Sequence, residues 1–275
     1  MKVREALAAA SARLAGVSET PRLDAELLMA HALGFSREAM LLHVMDAAAP
    51  AAFDALLDRR LAHEPVAYLT GRRDFWTIAL EVGPGVLVPR PDSETLIEAA
   101  VAHFAARGPA TVLDLGTGPG TLLLAALDQW PAAKGLGVDR SETALAYARR
   151  NAGRLGLADR TELRPGDWGD GIEGRFDLIL CNPPYIETDA VLPADVADWE
   201  PPEALYAGPD GLSDYRRLAP QIAALLAPNG IACIEIGAGQ AAAVTALFEY
   251  RGFTVSSLKD LKGVTRCLIL AIDLD

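Results

Sequence analysis

Asn182-Pro183-Pro184-Tyr185 sets one amide side chain ahead of two prolines and an aromatic ring. Two prolines remove two backbone N–H donors and stiffen the chain. That fixes the Asn182 side chain and leaves the Asn182 and Pro183 carbonyls to face a ligand. The chemistry that suits this arrangement is capture of an NH2 group lying in the plane of a π-system. Its two hydrogens can go to the Asn182 side-chain oxygen and to the Pro183 carbonyl, while Tyr185 stacks on the planar group. Pro184 shares the turn and the substrate-binding role.

Upstream, Asp114-Leu115-Gly116-Thr117-Gly118-Pro119-Gly120 carries three glycines at a spacing of two. Such a loop turns tightly and lets the backbone approach a ligand closely. It opens a helix, whose first N–H groups favour carboxylate or phosphate. Asp139 ends the next strand, where a carboxylate can accept both hydroxyls of a ribose. A dinucleotide or S-adenosylmethionine would fit these features. The dinucleotide pattern needs glycine at position 121, where Thr121 stands, or, counted from Gly118, at 123, where Leu123 stands. The spacing therefore favours S-adenosylmethionine. Asp114 adds weight, because an acid at the strand end can meet the amino group of a methionine moiety. Further on, Gly166-Asp167-Trp168 offers Asp167 as an acceptor for an adenine amino group and Trp168 as a surface for the ring. The expected cofactor site is thus Gly116, Thr117, Gly118, Pro119, Gly120, Asp139, Asp167, Trp168 and Asn182. The expected catalytic group is Asn182, Pro183 and Tyr185. The nitrogen is aimed at an already activated methyl, so orientation is the main catalytic device. The blander readings are an ordinary strand–helix turn, a rigid proline turn, or a binding module without catalysis.

The elements that must hold these groups alternate in type. Strands are expected at residues 111–115, 135–139, 161–163, 176–181, 231–236, 253–258 and 267–272. Helices are expected at 122–130, 142–155, 212–226 and 241–250, with Pro228-Asn229-Gly230 stopping the third. This alternation predicts a mixed, mostly parallel seven-stranded α/β sheet with helices on both faces. Ligands in such sheets bind at the carboxyl ends of the strands. Residues 1–70 differ: Leu7, Leu14, Leu23, Leu27 and Leu28, then Phe53, Leu56, Leu57 and Leu61, fall at helical spacing. They read as a small helical bundle. Between the two lies a linker, residues 71–91, read as a hairpin: 75–82 is β-prone, Gly83-Pro84-Gly85 turns, and 86–88 returns. Asp92 or Ser93 can then cap a helix whose stripe is Leu96, Ile97, Ala100, Val101 and Phe104. The domains expected are 1–70, the linker 71–91, and 92–275.

Composition narrows the function classes. The chain has 275 residues, 51% apolar and 23% charged, with 25 basic against 37 acidic residues and a net charge of −12. Residues 1–70 carry 7 basic and 9 acidic groups, so −10 of that charge lies in the remainder. That acidity opposes nucleic-acid binding, which needs many Lys/Arg–phosphate contacts. No apolar run reaches the ~20 residues of a membrane span, and the Ala/Leu run ending at Arg13 is too short for a signal peptide. Cys181, Cys233 and Cys267 are far apart and form no metal or redox pattern, so reduced, buried thiols in the cytoplasm are expected. His31, His43, His63 and His103 read as helix residues, and no metal site is expected.

The glycine loop with Asn182-Pro183-Pro184-Tyr185 resembles class I (Rossmann-like) S-adenosylmethionine-dependent methyltransferases acting on amino or amide nitrogen. Their acceptors include nucleic-acid bases and protein glutamine. Other segments narrow the resemblance: Glu64-Pro65-Val66-Ala67-Tyr68-Leu69-Thr70-Gly71, Phe75-Trp76, Val88-Pro89-Arg90-Pro91-Asp92-Ser93-Glu94, Trp199-Glu200-Pro201, Ala204-Leu205 and Gly208-Pro209-Asp210-Gly211. Together they are similar to the N5-glutamine methyltransferases of peptide-chain release factors, the HemK/PrmC family, over essentially the whole chain. The resemblance implies methyl transfer to the glutamine of the Gly-Gly-Gln loop of class-1 release factors. It also implies that the helical domain helps dock that protein. A sister family acts on a ribosomal protein, but there Pro-Asp usually does not follow the Pro-Arg pair, so Pro91-Asp92 favours the release-factor branch. Pro119 and Thr121 are less usual in the loop.

Overall fold

The structure is a computed structural model that describes residues 1–272. The chain divides into two compact units, residues 1–72 with 192–199, and residues 73–191 with 200–275. The last three residues of the expected 92–275 domain lie outside the described ones.

The first unit is helical: α1 (Val3–Leu14), α2 (Pro21–Leu33), α3 (Arg37–His43), α4 (Ala52–Leu61) and α5 (Val66–Thr70). Pro21 sits in the first turn of α2, and Gly34, at φ 71°, ends it, as residue chemistry dictates. Leu7, Leu14, Leu28, Met29, Phe53 and Leu57 form its core. Burying each contributes roughly 1.5–3 kcal/mol. Leu23, placed in the apolar stripe by spacing, is instead exposed. His63 is not helical but occupies a turn at φ 66°. The sequence boundaries also miss one segment. Residues 192–199, far along the chain, belong to this unit. Buried Arg60 explains it: its guanidinium pairs with Asp24 at 2.9 Å and reaches Asp195 at 3.4 Å.

Near the start of the second unit is a two-stranded ribbon, β1 (Arg72–Phe75, whose first residue is the last of the helical unit) and β2 (Ile78–Glu81). A hairpin is present, but its turn lies at Trp76-Thr77 and residues 86–88 are not a strand. Side chains, not glycines, make that turn. Trp76, at φ 52°, donates its N–H to Glu94 Oε1 at 2.9 Å and its indole N–H to Gln129 at 3.1 Å. The Val88 N–H donates to Glu200 Oε2 at 3.0 Å instead of joining a ladder.

The remaining elements are α6 (Glu94–Phe104), β3 (Thr111–Leu115), α7 (Thr121–Gln129), β4 (Lys134–Asp139), α8 (Glu142–Arg154), β5 (Thr161–Pro165), β6 (Phe176–Cys181), α9 (Ala194–Ala197, in the first unit), α10 (Ser213–Leu225), β7 (Leu226–Glu235), α11 (Ala241–Glu249), β8 (Phe253–Lys259) and β9 (Thr265–Ile272). The seven strands run in the order β5-β4-β3-β6-β7-β9-β8. β9 is antiparallel to both β7 and β8, and the rest are parallel. β7 starts earlier than expected because 227–230 is absorbed as an irregularity between Leu226, opposite Phe176, and Ile231, opposite Leu178. The central strands are buried on both faces, which is why they read as continuous apolar runs. All three cysteines are free and buried. Among the described residues, no helix is long and apolar enough to cross a membrane.

Candidate functional site

Strand order reverses between β3 and β6, and the crevice outside the carboxyl ends of such strands is where α/β sheets bind ligands. A cavity of about 480 Å³ opens there. It is lined by Gly116, Thr117, Gly118 and Pro119 after β3, Asp139 ending β4, Asp167 and Trp168 after β5, and Asn182 and Pro184 after β6. Gly85–Leu87, Pro89, Arg90, Pro201, Glu203 and Ala204, with Ser93, Asp114 and Asp214, also line it. Gly120, Pro183 and Tyr185 are not among the lining residues.

The loop after β3 needs its glycines. Gly116 has φ 74°, and a Cβ there would lie 2.9 Å from the Trp168 ring. Gly118 has φ 57° and open space before it, so conformation alone requires glycine. The N–H groups of the loop itself are used within the protein. Gly116 and Thr117 donate to the Val138 carbonyl at 2.9 and 3.0 Å, Gly118 to Asp139 Oδ2 at 2.8 Å, and Gly120 to the Thr117 carbonyl at 2.9 Å. The anion at the start of α7 is the Asp114 carboxylate. Its Oδ2 accepts from the Thr117 hydroxyl at 2.7 Å and from the Leu123 N–H at 3.1 Å.

The other Asp114 oxygen, Oδ1, is buried and has no hydrogen-bond partner. Burial pushes this carboxyl up to about 7, against the bonds from Thr117 and Leu123, and the nearby Asp139 carboxylate pushes the same way. An orphaned acceptor of this kind calls for a donor, best a cationic one. A dinucleotide would bring pyrophosphate to two carboxylates. S-adenosylmethionine would bring an ammonium, and the residues present fit it. Asp139 is braced by the Ser141 N–H at 2.8 Å on Oδ1 and is raised by burial.

After β5 the roles shift. Asp167 is half-exposed, and its Oδ2 is paired with Arg217 at 2.6 Å. Trp168, at φ 56°, covers Gly116 and donates its indole N–H to Asp214 Oδ1 at 3.2 Å. Burial raises the Asp214 carboxyl, and Asp214 lines the cavity where the sequence gave no reason to single it out.

At the acceptor end, Asn182 Nδ2 donates to the Ser93 hydroxyl at 3.2 Å. Ser93 in turn donates to Glu235 Oε2, and the Tyr185 hydroxyl donates to Glu235 Oε1 at 3.3 Å. Burial pushes Glu235 up to about 7, and the same burial, helped by the Glu235 charge, holds the Tyr185 phenol well above its ordinary range. Ser93 makes no side-chain cap for α6, since its hydroxyl is committed to Glu235. Sequence reasoning missed Glu235; the available signal was a lone acid in the apolar run 231–236. It left Arg90 and Glu200 without roles. They form an ion pair in which Glu200 also holds the Val88 N–H, and Arg90 faces the cavity.

Known proteins match both parts of the chain. The profile described as the PrmC N-terminal domain matches residues 5–71, and one described as a methyltransferase domain matches residues 108–250. A release factor glutamine methyltransferase from Rhodospirillum rubrum is 46% identical over 263 residues, 94% of this chain and 80% of that protein. Those from Caulobacter vibrioides and Cereibacter sphaeroides are 42% and 45% identical, covering 93% and 97% of this chain and 90% and 97% of theirs. Among solved structures, a ribosomal protein L11 methylase from Lactobacillus delbrueckii superposes with TM-score 0.52 at 20% identity, over 71% of this chain and 86% of that one. A Thermus thermophilus 16S rRNA N2 G1207 methyltransferase gives 0.53 at 19%, over 74% and 50%. These two show the fold alone.

Proposed function

This chain belongs to the release factor glutamine methyltransferase family, and from that premise we propose that its acceptor is the glutamine of the Gly-Gly-Gln motif in class-1 peptide-chain release factors. It is an S-adenosylmethionine-dependent methyltransferase, and the bond formed is to the side-chain amide nitrogen, N5, of that glutamine. The observation that carries this reading is that an orphaned carboxylate oxygen, on Asp114, and an anchored amide, on Asn182, line one cavity.

The cofactor supplies a methyl group already activated on a sulfonium. The protein's own residues do the rest. Asp114 Oδ1 accepts from the cofactor's ammonium, and Asp139 accepts from its ribose hydroxyls. The Trp168 ring, Gly116 and Gly118 shape the walls against it, with Thr117, Pro119 and Gly120 holding the loop. Asp167 stands at the rim. The Asn182 side-chain oxygen and the Pro183 carbonyl accept the two hydrogens of the glutamine NH2. Holding that nitrogen in line makes the step effectively unimolecular. The same two acceptors stabilise positive charge as it develops on nitrogen. As the carbon–nitrogen bond forms and the carbon–sulfur bond breaks, the sulfonium would become a neutral thioether, and the nitrogen then releases one of its two protons to solvent. Pro184 stiffens the turn and Tyr185 backs it.

The helical unit, 1–72 with 192–199, helps hold the protein substrate on this reading. It exposes Phe35 and Leu42, apolar surface that a protein partner could cover. The acidic balance of the remainder favours a protein over a nucleic acid as partner. A translation factor as substrate puts the enzyme in the cytoplasm. The test is mass spectrometry of a class-1 release factor after incubation with this enzyme and S-adenosylmethionine. One methyl on the Gly-Gly-Gln glutamine is expected. Undiminished methylation of a release factor whose glutamine is replaced would overturn the reading.

A further inference from the structure

An asparagine amide is nearly symmetric in shape, so its partners decide which end faces the substrate. Asn182 has one clear side-chain partner, Ser93 Oγ, 3.2 Å from Nδ2. A serine hydroxyl carries a single proton. Ser93 sits between Asn182 and Glu235, and the closer of its two contacts is to Glu235 Oε2. Once Glu235 is ionised, above about pH 7, its carboxylate is the stronger acceptor and takes that proton, so the relay in this direction belongs to the ionised form. Ser93 is then left only lone pairs toward Asn182, and only an N–H can face it. The Asn182 oxygen is thereby turned away from Ser93.

The relay is itself held. Glu235 is 1% exposed and Ser93 2% exposed, so water does not compete. The Tyr185 hydroxyl occupies Glu235 Oε1 at 3.3 Å, and the Tyr215 hydroxyl fixes the Glu235 backbone carbonyl at 2.9 Å. Three distant segments, before α6, after β6 and at the end of β7, converge on one amide. This goes beyond placing Asn182 in the site, because it says what sets its polarity.

We propose that Ser93 and Glu235 are positioning residues that lock the Asn182 amide oxygen-first, and that this lock makes the site select a primary amide over a carboxylate. A glutamine NH2 meets an acceptor. A glutamate in the same place meets oxygen against oxygen. Without the lock, Asn182 can turn over and offer its NH2 to the carboxylate. The proposal rests on the glutamine acceptor proposed above.

The experiment measures methyl transfer to a class-1 release factor, and competitive inhibition of that transfer by the same factor carrying glutamate in place of the Gly-Gly-Gln glutamine. Wild type, Ser93→Ala and Glu235→Gln are compared, with calorimetric S-adenosylmethionine affinity as the measure of an intact fold. Failure of wild type to methylate the glutamine would overturn the function, not the relay. With wild type active, Ser93→Ala should lower kcat/KM about tenfold, as expected for one lost hydrogen bond, with cofactor affinity within about twofold. Its inhibition by the glutamate-bearing factor should tighten several-fold. Glu235→Gln should shift inhibition the same way, since a glutamine NH2 can donate to Ser93 and reverse the relay. A Ser93→Ala enzyme with unchanged inhibition by the glutamate-bearing factor would overturn the proposal, whatever its rate.

Discussion

Asp114 Oδ2 accepts the backbone N–H of Leu123 at 3.1 Å, so the first turn of α7 is capped by the strand that precedes it. One of the N–H groups that could have bound a ligand anion is thereby already taken by a carboxylate. What remains for a ligand is the second oxygen of the same carboxylate, buried and unpaired. On the proposed reading, this Asp114 oxygen suits a cationic cofactor group.

Cofactor affinity should consequently depend on pH through Asp114. Its carboxyl lies at about 7, and it must be ionised to receive an ammonium. The carboxyl is protonated more at low pH, so affinity falls as pH drops, by about tenfold between pH 8 and pH 6. The facing groups are the Thr117 hydroxyl, the Leu123 N–H and the Asp139 carboxylate, and of these only Asp139 carries charge. Asp114→Asn should bind S-adenosylmethionine roughly 10–100-fold more weakly, the loss of one charge-assisted hydrogen bond, and show no such slope. Calorimetry across pH 6–8 tests both statements.

Glu235 should impose a slope of its own on stability. Its folded value of about 7 lies above its ordinary 4.5, because burial outweighs the bonds from Ser93 and Tyr185 and the attraction of Arg266, while Asp92 adds to the rise. The folded state thus keeps a proton that the unfolded chain releases. That contribution is complete below about pH 4.5 and is lost as pH rises through 7. At 1.36 kcal/mol per unit it amounts to up to about 3 kcal/mol. Glu235→Gln cannot titrate. The stability of wild type relative to this variant, from urea unfolding, should therefore decline from pH 5 to pH 8. A difference that is flat or rises with pH would remove the buried-acid argument.

The residues that lie close together in sequence could be singled out in advance as neighbours in space. Gly116–Pro119, Asp139, Asn182 and Pro184 do line one cavity, while Gly120, Pro183 and Tyr185 do not. Partners set by the fold were not readable. Ser93 looks like a helix cap, yet its hydroxyl serves an acid 142 positions away. The turn at Trp76 was missed because a positive φ at tryptophan has no signature in sequence, and side chains of Glu94 and Gln129 create it. Residues 192–199 join the helical unit through Arg60–Asp195, a pairing that no periodicity predicts.

Binding and catalysis should separate between two glycine-loop and turn variants. Asn182→Ala removes an acceptor for the amide but nothing from the Asp114–Gly118 region. It should cost about 10²–10³ in kcat, the scale for one lost stabilising group at a developing charge. Cofactor affinity should stay within a few-fold. Gly116→Ala does the reverse. It forces a side chain into the left-handed region and toward the Trp168 ring, so it should weaken S-adenosylmethionine more than it slows the saturated enzyme. Equal effects on both constants in both variants would contradict the division of the cavity into a cofactor end and an acceptor end.

The Arg90–Glu200 pair should prove structural in one direction and costly in the other. Glu200 is buried and uses one oxygen for Arg90 and the other for the Val88 N–H, whereas Arg90 is about one-third exposed, with side-chain exposure of 35%. Removing Arg90 takes a cation away from a buried carboxylate, which is the more expensive way to break an ion pair. Glu200→Gln keeps an acceptor for Val88 and leaves a partly solvated guanidinium, so it should cost less. Discounted for the exposure of Arg90, we expect about 2–3 kcal/mol for Arg90→Ala and about 1 kcal/mol for Glu200→Gln. Because both changes remove the same ion pair, the double variant should lose less than the sum of the two singles. Denaturant unfolding of the four proteins measures this directly. Additive losses would mean that the pair is not what ties the 86–90 wall of the cavity to the 200–204 segment.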